Sequence, residues 1–185
     1  MPTAPAAETQ TQSREARVVA SIGFLSAASF VLMFAAIPMP GAPYLLYEPS
    51  DVPALVATFT MGPMAGTTVV GLRNLLRLLV HPNLVGLLIN LIASGLFVGV
   101  AGLGYRSFKT RHGAILALAV ATVAQALALL ALNALVLPLY LGLSGAPLTR
   151  VLFVTVLPFN LVKGLANSAL VYLLYKRISG FFPRV

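Results

Sequence analysis

Asn160, Lys163 and Asn167 place hydrogen-bonding chemistry inside the last long apolar run of this chain, where hydrocarbon offers no partner. Lys163 lies about twelve residues into that run, roughly 18 Å from its outer end at 1.5 Å per residue, close to a bilayer midplane. An ionisable group at that depth is costly unless it faces water or a protein-lined site, so its default reading is functional. Asn160 and Asn167 flank it at helical spacing, which stacks all three on one face. Asn133 and Asn90 fall about two turns inside two other apolar runs, counted from the outer side, so polar groups from three helices can converge in the outer half. Ammonium and amide groups offer recognition through donors and acceptors rather than bond-making. The plain alternative is that the asparagines join helices, at ~0.6–2 kcal/mol each. For Lys163 it is a salt bridge, and its partners are few. The chain has four acids, Glu8, Glu15, Glu48 and Asp51, so a carboxylate for Lys163 must come from the segment holding the last two.

The elements that must position these groups are bilayer spans. Hydrophobic residues make up 59% of the 185 and charged residues 9%, against roughly a quarter charged in soluble domains. Apolar runs cover about 18–37, 52–80, 83–105, 113–139 and 151–178. Pro38, Pro40 and Pro43 keep the chain non-helical up to Ser50, and Ser50-Asp51-Val52-Pro53 reads as a capped helix start. Asp51 has the alternative of binding a ligand. Met61-Gly62-Pro63-Met64 then interrupts the second run as a kink or a reversal. Charge arbitrates. Basic residues cluster at Arg14 and Arg17, at Arg106, Lys109 and Arg111, and at Lys176, Arg177 and Arg184. Placing all of them in the cytoplasm requires a reversal at Gly62-Pro63. The expected fold is an all-α, six-transmembrane-helix bundle with both termini inside. Its second helix, residues 51–61, spans only about 17 Å and needs the loop at 38–50 to dip inward as an outward-facing lid. Residues 1–13 read as a disordered tail and 14–185 as one membrane domain; the run at 18–37 is too long for a signal-peptide core.

The net charge of +8 raises nucleic acid as a partner only until its placement is seen: basic clusters between apolar runs are a topology signal. Without cysteine there is no disulfide or thiolate site. No phosphate-cradling G-x-x-x-x-G-K-[ST] loop occurs, so any work is done with borrowed energy. His81 and His112 sit at span ends and form no metal motif, and no catalytic set is visible, so the chain reads as a non-enzyme without cofactor or metal. Arg73 and Arg77 share a helix face; Arg77 can snorkel, while Arg73, a turn deeper, can pair with Glu48 or Asp51 and fix where the lid closes. Ala16, Ala20, Gly23 and Ala27 give the first helix a small-residue face for close approach, within the bundle or to a partner.

Three segments carry a resemblance: Y-E-P-S-D-V-P-A-L…M-G-P-M-A-G…L-R-N over 47–74, L-N-A-L-V-L-P-L-Y at 132–140 and P-F-N-L-V-K-G at 158–164. In this order the chain resembles the riboflavin-specific substrate-binding (S) subunits of energy-coupling-factor transporters. The resemblance implies six helices, an outer pocket under the loop after the first helix, and a cell-membrane complex with a transmembrane coupling subunit and two ABC-type ATPases. It implies riboflavin as transported substrate, with Asn133, Asn160 and Lys163 as polar contacts and Leu45, Leu46 and Tyr47 as lid contacts. Asn90 and Asp51 join the expected ligand site from their positions alone. Ala20, Gly23 and Ala27 would dock the coupling subunit, although glycine at 23 departs from the family's alanine-spaced pattern. An S subunit for another vitamin, or a structural helix bundle, are the competing expectations.

Overall fold

The computed structural model describes residues 4–183. Arg184, expected as a cytoplasmic flank, lies outside the described residues, as do the side chains of Glu8 and Lys176. The first helix, α1 (Ala4–Leu32), starts well before the first apolar run. Residues 4–13, expected as a disordered tail, therefore continue the helix; alanine, glutamate and glutamine there are good helix formers.

Between α1 and the next helix the prolines do exclude helix, but the segment is not featureless. Strands β1 (Ile37–Met39) and β2 (Ala42–Tyr47) form an antiparallel hairpin pairing Ile37 with Tyr47 and Pro38 with Leu46, turning at Gly41 with φ 81°. Helix α2 (Asp51–Met61) is short and buried along its whole length. Ser50 does not cap it through its side chain, contrary to the sequence expectation, because the hydroxyl is engaged by an arginine instead. Gly62, at φ 98°, ends α2, and Pro63 opens α3 (Pro63–Val80) with its fixed φ and missing N–H at a position where neither is a handicap. The chain reverses here. A Cβ on Gly66 would lie 1.8 Å from Thr58 Oγ1 and 2.9 Å from the Ala54 carbonyl, so α3 lies directly back along α2.

Helix α4 (Leu84–Ser107) is capped by Asn83, which accepts from Gly86 N at 2.9 Å, and α5 (Arg111–Leu141) by Thr110, which accepts from Gly113 N at 3.0 Å. The last path runs through α6 (Gly145–Val151), a π-helical stretch (Leu152–Val156) and α7 (Leu157–Ile178). Pro158 accounts for the π stretch: its ring crowds the preceding turn and it donates no hydrogen bond, and a wider turn absorbs both.

Among the described residues, four helical stretches are long and apolar enough to cross a membrane: Gln10–Leu32, Leu84–Ser107, Arg111–Leu141 and Gly145–Tyr175. The core is centred on α2, whose Ala54, Leu55, Val56 and Ala57 pack with Val69, Val70, Phe97, Val98, Ala121 and Val171. Large apolar side chains such as Phe24, Leu103, Leu139 and Leu173 face outward, as lipid contact requires.

Candidate functional site

A cavity of about 370 Å³ opens between β2, the C-terminal end of α3, α4, α5 and the start of α7. Tyr44, Leu45 and Leu46 of β2 line one side of it, and its apolar walls include Ile89, Leu137, Tyr140 and Phe159. Asn90, Asn133, Asn160 and Lys163 line it from three helices. The π stretch positions part of this wall, since Asn160 follows it within a turn and spends one amide hydrogen on Val156 O at 2.8 Å. Asn133 likewise donates to Leu129 O at 2.8 Å. Each of these two amides retains a second N–H and its carbonyl oxygen for another partner.

Lys163 reaches back to β2. Its ammonium donates to Leu46 O at 3.4 Å and stands 3.9 Å from Glu48 Oε1, which also accepts from Asn90 Nδ2 at 3.4 Å. The carboxylate for Lys163 thus comes from the loop segment, as the short supply of acids dictates.

Of the residues singled out from sequence, Asn90, Asn133, Asn160, Lys163, Leu45 and Leu46 come together around this cavity. Tyr47 and Asp51 do not join the wall. Tyr47 ends β2 opposite Ile37, half-buried in the hairpin. Asp51 is buried behind the wall because Arg73 draws it inward, with Arg73 Nη1 donating to Oδ1 at 2.9 Å and Gln125 Nε2 donating to Oδ2 at 3.5 Å. Asn167, on the same face of α7 as Lys163 but a turn deeper, is fully buried outside the cavity, and neither amide atom has a hydrogen-bond partner among the described residues. Arg77, expected only to snorkel, lines the cavity and also a smaller one of about 210 Å³ on the other side of β2, next to Phe30, Phe34 and His81.

Sequence reasoning missed Gln125 and gave Glu48 only a pairing role. Both belong to the wall. Gln125 lies about two turns before Asn133 on α5, so helical spacing from a known polar residue could have found it. The face of small residues on α1, Ala16, Ala20, Gly23 and Ala27, is exposed, and a Cβ on Gly23 would meet nothing within 4 Å.

The arrangement sets hydrogen-bond donors and acceptors among aliphatic and aromatic surface, inside a volume typical of small-molecule sites.

The family model for the ECF transporter substrate-specific component matches residues 17–175. Riboflavin transporter RibU of Staphylococcus aureus (strain TCH60) is 37% identical over 173 residues, covering 89% of this chain and 92% of its own length. Riboflavin transporter FmnP of Bacillus subtilis (strain 168) is 31% identical over 169 residues, covering 85% and 89%. A solved S component of a bacterial ECF transporter superposes with a TM-score of 0.79 at 35% identity, across 90% of this chain and 98% of that one.

Proposed function

Since the chain belongs to the substrate-specific components of ECF transporters, we infer that it captures riboflavin in the cavity beneath β2 and delivers it across the cell membrane with the help of an energy-coupling partner. It is a transport subunit, not an enzyme. The observation that carries the reading is the convergence of Asn133, Asn160 and Lys163 in one apolar-walled space. The pyrimidine edge of isoalloxazine presents an acceptor, an N–H donor and a second acceptor, which two amides and an ammonium satisfy together. Leu45, Leu46 and Phe159 enclose the rest of the ring system, and Asn90 serves the polar tail.

Energy comes from elsewhere, because the sequence has no phosphate-binding loop. The partners are a transmembrane coupling subunit, docked on the exposed Ala20, Gly23 and Ala27 face of α1, and two ABC-type ATPases. In the membrane, the four long apolar stretches and the α2–α3 hairpin make six helices with both termini cytoplasmic, and the hairpin loop at 37–47 is the outer lid.

The deciding experiment is a titration of the detergent-purified chain with riboflavin, followed by flavin fluorescence. Saturable quenching at one flavin per chain is expected. A protein that neither carries flavin nor quenches it would overturn the reading.

A further inference from the structure

Arg73 is fully buried on α3, yet it does not line the cavity. Its guanidinium joins two regions. On one side Nη1 donates to Ser50 Oγ at 3.0 Å, to Asp51 Oδ1 at 2.9 Å and, more weakly, to Ser29 Oγ of α1 at 3.4 Å. Ser50 and Asp51 are where the covering loop ends and α2 begins. On the other side Nη2 donates to Asn90 Oδ1 and to Ser94 Oγ, both at 2.9 Å, and these two side chains of α4 line the cavity. Asn90 then donates to Glu48, and Glu48 faces Lys163. A continuous polar path therefore links the root of the cover, through Arg73, to the cationic group in the cavity.

Stability alone is a poor account of this node. A buried ion pair often stabilises no more than well-packed apolar residues of similar volume, and here the Arg73 Nε–H has no partner among the described residues. What a planar, rigid fork provides better than apolar packing is direction, because its two ends fix the relative placement of whatever accepts from them.

We propose that Arg73 is a positioning residue for ligand capture: it fastens the inner end of the covering loop to the Asn90 wall of α4, so that Glu48 and Lys163 are aimed at the bound ligand. The proposal rests on the riboflavin reading above. It makes the Ser50 end of the loop the fixed end and the hairpin turn at Gly41 the moving one. Loss of the node loosens a cover already closed, so release accelerates more than capture slows.

The test uses two variants of the full chain in detergent, with riboflavin association and dissociation followed by stopped-flow fluorescence. R73M/D51L removes both charges together and strands neither in the interior. S50A/S94A keeps the pair and removes one neutral acceptor from each side of the fork. For R73M/D51L the expected result is dissociation about tenfold faster, with association within about twofold of wild type, since interface changes act mostly on release. S50A/S94A shifts the same way by less, and protease cleavage within residues 38–50 of the riboflavin-bound form rises in both. Folded variants that release riboflavin at the wild-type rate overturn the proposal, as does a loss confined to association. Should R73M/D51L fail to fold, S50A/S94A decides alone on the same criteria. A wild-type chain that binds no riboflavin overturns the underlying reading as well, and is distinguished by failing before any variant is compared.

Discussion

Lys163 is the residue on which a reading from chemistry alone depends most. Its depth was legible because a lysine in hydrocarbon needs a reason, and the chain's few acids pointed to the loop for its counter-ion, where Glu48 stands at 3.9 Å. Replacing it is expected to weaken riboflavin binding: Lys163→Ala should cost about 1–3 kcal/mol, the range for removing one partner of a buried or charged hydrogen bond, read as a rise in Kd by fluorescence titration. Unchanged affinity would remove Lys163 from the contacts. The asparagines show the limit of such reasoning. Asn160 and Asn167 share a face of α7 with Lys163, yet only Asn160 and Lys163 reach the cavity. Periodicity reports the direction in which a side chain leaves its helix, not what stands opposite at each level. Asp51 carried three readings, a helix cap, a ligand contact and a partner for Arg73, and the structure shows the third, with Arg73 Nη1 donating to Oδ1 at 2.9 Å. Its position before an apolar run suggests a helix cap, whereas the full charge of Arg73 outcompetes the backbone for it.

The helices were mostly legible from apolar runs, and the reversal at Gly62-Pro63 from the parity of basic clusters. The hairpin at 37–47 was not, because three prolines in a short stretch mask strand patterning and leave only the statement that helix is excluded. The π stretch was equally hidden: Pro158 announces a disturbance but not its form. The α2–α3 hairpin makes the sharpest element-level prediction. A side chain at position 66 must displace Thr58 or the α2 backbone, whereas at Gly95 on α4 a Cβ meets nothing within 4 Å. Gly66→Ala is therefore expected to destabilise the protein by about 1–3 kcal/mol, as overpacking does, and to lower its melting temperature in detergent. Gly95→Ala serves as the matched control, with little change expected.

At the scale of the whole molecule, apolar surface is turned outward and the densest polar network is held within, around the α2 root. The small-residue face of α1 belongs to this scale, since it is exposed among the described residues. Bulk added there separates capture from delivery: Gly23→Leu with Ala27→Leu is expected to leave riboflavin affinity within about twofold, while abolishing co-purification with the coupling subunit and vitamin uptake by cells. Loss of affinity in the isolated subunit would show instead that this face serves the fold. The bond from Ser29 Oγ to Ser50 O closes α1 onto the far end of the loop that leaves it. That turns the intervening stretch into a tether pinned at both ends. The entropy of such a ring grows only with the logarithm of its length, about 0.6 kcal/mol per doubling. Residues can therefore be inserted beside Gly41 at small energetic cost, so the length of this hairpin is a property that evolution or design can change without disturbing the helices it joins.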